Sequence, residues 1–88
     1  ASPAVMALIS HPDGRYVDVN NAWLAIYGYD RAEVIGRSSL EFGLWVDPAE
    51  RARIHEDLES KGSLPGVSTR HRRKSGEIAE VVASSELI

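Results

Sequence analysis

The chain has no cysteine, and this absence removes several kinds of chemistry at once. Disulfide bonds, thiolate nucleophiles, cysteine-ligated zinc and iron–sulfur clusters all need that side chain. The absence does not indicate a compartment, because a cysteine-free domain suits both reducing and oxidising surroundings. The three histidines are then the only nitrogen ligands that the chain could offer to a metal or a haem.

Long apolar runs and a strong excess of charge are absent as well. No apolar stretch approaches the ~20 residues that a membrane-spanning helix needs, and the first ten residues lack the features of a signal peptide. A net charge of −3 argues against coating nucleic acid or anionic lipid. With 88 residues, 43% of them hydrophobic, we expect one small domain over residues 1–88, cut from a longer, cytoplasmic protein.

The most informative segment of the chain is Asp13–Gly36. It opens with the tight-turn dipeptide Asp13-Gly14, because glycine accepts a positive φ at no steric cost. The alternation that follows predicts a strand over Arg15–Val19, with Tyr16 and Asp18 on one face and the two valines on the other. Asn20 or Asn21 then caps a short helix over about residues 22–27.

Glycines and acidic caps divide the rest of the helical region. Gly28 ends the first helix, and Asp30 with Glu33 predicts a capping box for a second helix over about residues 31–35. The segment from 37 to 46 is predicted to be irregular. Asp47 caps the best helix, which runs to about residue 60, with Pro48 at its first position, Glu50 as the partner in a capping box, and Ile54 and Leu58 as its narrow apolar stripe.

Strands are predicted over Val5–Ser10, Val67–Arg73 and Ile78–Leu87, the last two joined by a hairpin turn at Lys74–Glu77. Two strands, a helical middle and a β-hairpin predict an α+β fold in which an antiparallel sheet carries short helices on one face.

This order of elements resembles the PAS sensory domain. The residues that match its usual signature are Asp13, Gly14, Asn20 or Asn21, Ala22, Gly28, Tyr29, Glu33 and Gly36. The helix start at Asp47, Pro48 and Arg51 and the hairpin residues Arg72, Arg73, Lys74 and Gly76 fit the family too. The resemblance covers nearly the whole chain and implies a protein that senses and relays and does no chemistry of its own.

The family's sheet has five strands, the last of which lies between the first strand and the hairpin. This sequence ends at Ile88, where the family would add that strand. We therefore expect a gap of unpaired N–H and C=O groups between the first strand and the hairpin, to be filled by residues beyond this sequence or by another chain.

Comparison with cofactor-binding relatives predicts no cofactor. Flavin and cinnamoyl photosensors of this fold bond their chromophores through a cysteine, and Gly36–Ser39 stands where the flavin-binding cysteine motif would lie. Haem-binding members use a histidine on the helix before the hairpin, but Arg51 stands at the matching place. His55 lies off the apolar stripe, so we interpret it as solvated or salt-bridged.

His71 is the histidine that we expect to face inward. It alternates with Arg70 and Arg72 on the predicted strand, so that it shares a face with Val67 and Thr69. There it could bond a ligand, a core hydroxyl such as that of Tyr27 or Tyr29, or, as histidines most often do, the backbone. The basic run around it lacks interleaved aromatic residues, which favours a solvated hairpin tip over a nucleic-acid site.

Small residues on the hairpin predict a cavity between the sheet and the helices. Thr69, Ala79 and Ala83 leave volume that larger side chains would fill, and in the PAS fold the positions of the two tryptophans border such a cavity. The predicted ligand-binding residues are Trp23, Tyr27, Phe42, Trp45, Val67, Thr69, His71, Val81 and Ala83. Their composition suits a small, mostly apolar ligand with one or two polar atoms.

Three functions remain open from the sequence. The first is a bacterial, dimeric sensory module that controls an output domain in the same polypeptide, such as a histidine kinase, a cyclic-dinucleotide enzyme or a transcription factor. The second is a ligand-free dimerisation or docking module with a filled core. The third, an enzyme, is disfavoured because no serine has a histidine at a helpful spacing.

Overall fold

The computed structural model describes residues 4–88. The elements follow in the order β1 (Ala4–Ile9), β2 (Tyr16–Val19), α1 (Asn21–Tyr27), α2 (Arg31–Val34), α3 (Pro48–Lys61), β3 (Ser63–Arg72) and β4 (Ile78–Leu87). The four strands form one sheet in the order β2-β1-β4-β3. The predicted α+β class is confirmed, as is the irregular segment between α2 and α3.

The sheet is antiparallel, as expected, in two of its three strand pairs, and the third pair makes it mixed. β1 pairs antiparallel with β2, and β3 pairs antiparallel with β4. β1 and β4 pair in parallel over six positions, from Ala4 opposite Val82 to Ile9 opposite Leu87. The expected gap between the first strand and the hairpin is therefore wrong, because this ladder satisfies the backbone groups that the gap would have left unpaired. A fifth strand between them would have to replace the ladder.

A bulge in β2 corrects the predicted faces of that strand. Ile9 pairs with Tyr16 and Leu8 pairs with Asp18, so Val17 is an extra residue without a partner on β1. A bulge of this kind shifts the alternation by one residue. Tyr16 and Val19 are buried, whereas Val17 is 41% exposed.

The helix boundaries follow the predicted caps. Asn20 Oδ1 accepts from the Trp23 N–H at 3.0 Å, and Gly28 ends α1 with φ of 83°. At α3, Asp47 Oδ1 accepts from the Ala49 N–H at 3.0 Å. The predicted capping role of Glu50 is wrong, because its carboxylate is turned toward β3 and accepts a hydrogen bond from Thr69.

Aromatic side chains fill the core between the sheet and α1. Trp23 is 2% exposed and meets two tyrosines edge to face, Tyr16 at 5.3 Å and Tyr27 at 4.6 Å between ring centroids. Each such pair adds roughly 0.5–1.5 kcal/mol beyond the burial of its area. The buried core comprises Val5, Tyr16, Val19, Trp23, Tyr27, Val34, Leu44 and Val81.

The helix α3 adds little to this core. Leu58 is its one buried residue, and the rest of its 14 residues are half-buried or exposed. Gly62 ends the helix with φ of 80° and returns the chain to β3. Because so few apolar groups join α3 to the sheet, space remains between them.

Candidate functional site

A cavity of about 70 Å³ lies between α3 and the inner face of the sheet. It is formed by Val5, Ala7, Ile9, Gly14, Tyr16, Trp23, Ser39, Trp45, Arg51, Ile54, His55, Leu58, Val67, Thr69, His71, Ala83, Ser84 and Ser85. Its exposed wall is mostly apolar. A cavity of about 150 Å³ admits benzene, so this one holds either a few waters or a ligand of roughly three to five non-hydrogen atoms.

The structure brings most of the sequence-predicted residues to this cavity. Trp23, Trp45, Val67, Thr69, His71 and Ala83 line it. Tyr27, Phe42 and Val81 do not line it and pack in the core beside it, where Phe42 lies on Tyr29 at 4.8 Å between centroids. Whether any of these residues binds a ligand stays a prediction.

His71 is the most deeply placed polar group at the site. Its residue is 4% exposed, and its Nδ1 lies 2.5 Å from the Tyr27 hydroxyl. The inward orientation is therefore confirmed, and the partner is the Tyr27 hydroxyl that the sequence offered as one alternative. The ring also meets Trp45 edge to face at 4.5 Å between centroids.

Burial keeps this pair uncharged at neutral pH. Desolvation lowers the pKa of His71 to about 4, and the Glu50 carboxylate opposes that shift. Desolvation also raises the pKa of the Tyr27 phenol well above its ordinary value. The Nε2 atom of His71 is buried and has no hydrogen-bond partner among the described residues. Buried polar atoms normally have a partner, so this one calls for an explanation.

Thr69 and Glu50 form a second polar contact on the same side. Thr69 precedes His71 by two residues on β3 and shares its inward face. Its hydroxyl, in a residue 6% exposed, donates to Glu50 Oε1. The contact ties the first turn of α3 to β3 and fixes a carboxylate close to the His71 ring.

Arg51 and Ser39 lie toward Tyr16. The Ser39 hydroxyl accepts from Trp45 Nε1 at 2.8 Å. Desolvation raises the pKa of the buried Tyr16 phenol, while Ser39 and the positive charge of Arg51 act against the rise. Arg51 makes no salt bridge with any residue in the range 4–88. Arg51 therefore lines the cavity near Tyr16, whereas the Glu50 carboxylate lies near His71 without lining the cavity.

Sequence reasoning did not predict that Glu50 and Arg51 point from α3 toward the sheet. Ile54 and Leu58 had been recognised as the inward stripe of α3. Glu50 lies four residues before Ile54, and Arg51 lies three residues before it, so the same stripe reaches both when it is extended by one turn. The spacing from Ile54 was therefore enough to predict that both residues face inward, but Glu50 had been assigned to the helix cap instead.

His55 lines the cavity but is already engaged. Its Nε2 lies 2.6 Å from Glu59 Oε1, one turn further along α3. This contact agrees with the salt-bridged interpretation of His55. Over residues 4–88, no three His, Asp or Glu side chains come together in a way that would hold a metal ion.

A second, more open groove of about 500 Å³ lies on the opposite face of the sheet. Met6 and Leu8 alternate with the cavity-lining residues of β1 and therefore point to this face. Leu64 and Pro65 border the groove as well, and Met6 is 55% exposed.

Comparison with protein families gives a match over nearly the whole chain. The model of a family described as a PAS domain matches residues 3–88. No curated protein matches the chain. Among the residues that the structure describes, no helix has the length and apolar character needed to cross a membrane.

Proposed function

The chain belongs to the PAS family of sensory and signalling modules, and from that premise we propose that it detects a small molecule and regulates an attached output domain. The ligand occupies the cavity between α3 and the sheet. The output domain, in the same polypeptide, is a histidine kinase, a cyclic-dinucleotide enzyme or a transcription factor. The module is non-catalytic and works as a homodimer in the bacterial cytoplasm.

The observation that carries this proposal is the cavity with an unpartnered polar atom beside it. The lining is mostly apolar, and His71, one of the lining residues, has a buried imidazole nitrogen that lacks a hydrogen-bond partner among the described residues. Mostly apolar cavities with a few convergent polar groups are typical of small-molecule sites. Leaving a buried nitrogen without a hydrogen bond destabilises the folded state by roughly 1–3 kcal/mol. A core that served packing alone would gain stability from an apolar side chain at this position.

The contacts of His71 and its neighbours offer a route by which occupancy changes the surrounding structure. On one side His71 bonds Tyr27 at the end of α1. On the other, the next residue of β3, Arg72, donates its N–H to the Leu44 carbonyl at 2.7 Å. A ligand that binds His71 shifts the population of the arrangements that these contacts stabilise, and the sheet carries the shift to flanking segments.

The test is a thermal-shift and native mass spectrometry panel of small metabolites on the domain and on Ala83→Phe. The half-buried Ala83 lines the cavity, so a phenylalanine there should fill it and abolish ligand-induced shifts while the domain stays folded. Ala52→Phe is the matched control, since Ala52 is exposed on α3. Ligand shifts that persist unchanged in Ala83→Phe would refute the cavity as the site.

A docking or dimerisation module is the second candidate, and the open groove favours it. A groove lined by Met6, Leu8 and Pro65 on the outer face of the sheet could receive a partner. Sedimentation over a range of concentrations separates the two: a stable dimer that Met6→Asp dissociates, with no ligand found, would favour docking alone. A catalytic role is not supported, because His71 bonds a tyrosine and the Ser39 hydroxyl accepts from Trp45.

A further inference from the structure

Arg51 gives the cavity beneath α3 a charge of one sign. It lies three residues before Ile54 and four before His55, so the three side chains share one face of the helix, and all three line the cavity. No Asp or Glu of the described residues lines it. His55 is engaged with Glu59, one turn further along the helix. Because an arginine side chain is always protonated, its guanidinium group is the permanent charge at this cavity.

The guanidinium group of Arg51 has no acceptor within the protein. It carries five N–H donors, and none of them makes a side-chain hydrogen bond or a salt bridge to residues 4–88. The two carboxylates nearest to it in sequence bond elsewhere. Asp47 Oδ1 accepts from the Ala49 N–H, and Glu50 accepts from Thr69.

The nitrogens of Arg51 keep surface that a small molecule can reach. The residue is half-buried. His71 Nε2 is the one side-chain atom among residues 4–88 that is both fully buried and without a hydrogen-bond partner, so the unpartnered guanidinium nitrogens are not fully buried. A half-buried cation loses part of its hydration. An anion that entered the cavity would give it the counter-charge that the described residues do not provide.

The walls of the cavity select among small anions. Two of the lining hydroxyls already have partners, because Ser39 accepts from Trp45 and Thr69 donates to Glu50. Few polar groups therefore remain for the additional oxygens of phosphate or sulfate. A carboxylate has two oxygens in one plane, which match the fork of the Arg51 guanidinium. Its alkyl group suits a wall that is mostly apolar.

We propose that the cavity binds a short-chain monocarboxylate, such as acetate or propionate, whose two oxygens accept hydrogen bonds from the guanidinium group of Arg51. The alkyl group lies against the apolar wall lined by Val5, Ile54 and Ala83. A volume of about 70 Å³ holds about four or five non-hydrogen atoms, which is the size of these two anions. This inference rests on the proposed ligand site and names the class of ligand for it.

Acetate and acetamide are the decisive pair of probes, because they have nearly the same shape and differ in charge. The measurement is an NMR titration of the domain at neutral pH and constant ionic strength, followed through the methyl groups of Val5 and Ala83 and the Nε–H of Arg51. Acetate should shift all three resonances, and acetamide should bind more weakly by about tenfold or more. Equal binding of the two probes would overturn the anionic class. A shift at Arg51 without any shift of the two methyl groups would place the carboxylate outside the cavity and would overturn the proposal too.

Arg51→Met supplies a second readout. It removes the charge and keeps an unbranched side chain, so acetate should bind more weakly by about tenfold or more. Arg53→Met is the matched control, since Arg53 is exposed on α3, does not line the cavity and changes the net charge equally. Unchanged acetate affinity in Arg51→Met, or an equal loss in both variants, would contradict the assignment. If Arg51→Met does not fold, the comparison of acetate with acetamide in the unaltered domain still decides the matter.

Xenon under pressure separates this inference from the proposed function, since it enters apolar cavities without a charge or a hydrogen bond. It should shift the methyl resonances of Val5 and Ala83 in the unaltered domain and in Arg51→Met alike. If xenon does so and acetate does not, the ligand class is wrong and the cavity stands. If neither xenon nor acetate shifts these resonances, the proposed ligand site fails as well.

Discussion

The two sides of the sheet's inner face differ sharply in how they are packed. Toward α1, Trp23 lies between Tyr16 and Tyr27, and all three are nearly or completely buried. Toward α3 the packing is looser, because Leu58 is the one buried residue that this helix contributes, and charged residues approach the sheet. We therefore predict that α1 contributes more to the stability of this small fold than α3, and that the loosely packed α3 moves more freely and leaves room for the proposed ligand.

The hairpin turn reinforces the α1 side. The Lys74 N–H donates to the Tyr27 carbonyl at 2.9 Å, and its Nζ lies 2.8 Å from Glu33 Oε2. That hydrogen bond lowers the pKa of Glu33 and raises the pKa of Lys74. Both groups are solvated, so the ion pair orients the turn more than it stabilises the fold.

The largest expected effect on the free energy of unfolding comes from shortening one large side chain on α1, and the matching change on α3 is its comparison. Trp23→Ala should lower the free energy of unfolding by roughly 3–5 kcal/mol, because it removes a buried aromatic ring and leaves a cavity. Ile54→Ala, on half-buried α3, should cost only about 1 kcal/mol, since little of its surface leaves water on folding. Urea unfolding measures both, and an equal or larger loss from Ile54→Ala would mean that α3 is part of the main core.

Acidification should destabilise the junction between the two sides, through His71. Its pKa in the folded protein is about 4, below the ordinary value of 6.5. As the pH falls below 6.5, His71 binds a proton in the unfolded chain, whereas in the folded chain it stays neutral until about pH 4. Stability is therefore lost across that window, by at most about 3 kcal/mol.

The control for this pH dependence is the unfolding free energy of His71→Leu at pH 7 and pH 4. Other groups that bind protons on acidification contribute to the stability of both proteins, and the difference between the two proteins removes their contribution. His55→Leu should keep the full pH dependence. If His71→Leu loses as much stability on acidification as the unaltered domain, His71 is not the group responsible.

Local chemistry in the sequence was enough to place most of the α1 side. Asn20 as a cap, Gly28 as a stop and the inward His71 all follow from contacts or alternation within a few residues. The bulge at Val17 could not be predicted, because it depends on which residues of β1 lie opposite. The parallel β1–β4 ladder could not either, since it joins residues far apart in the chain.

The site was harder to predict on the α3 side, for a related reason. Six of the nine predicted residues line the cavity, and four of them, Val67, Thr69, His71 and Ala83, lie on strands of the hairpin, where an inward face was predicted. Arg51 was missed as a cavity-lining residue and Glu50 as a partner of Thr69, because a charged residue on a helix is most often solvated. The position of α3 over β3 brings both residues to these contacts.

Removing the caps of α3 and α2 should have the smallest effect on the free energy of unfolding. It tests the difference between the α1 side and the α3 side within single helices. Asp47→Ala should lower stability by roughly 0.5–2 kcal/mol, because Asp47 Oδ1 satisfies the Ala49 N–H at the start of the 14-residue α3. Asp30→Ala should cost less, since α2 has four residues and its cap hydrogen bond, from the Asp30 N–H to Glu33 Oε1, survives the replacement. Hydrogen exchange adds the location: Asp47→Ala should speed exchange in the first turns of α3 and leave α1 protected. A larger effect from Asp30→Ala, or loss of protection spreading to α1, would mean that the two sides unfold together and that α3 is not the freely moving part.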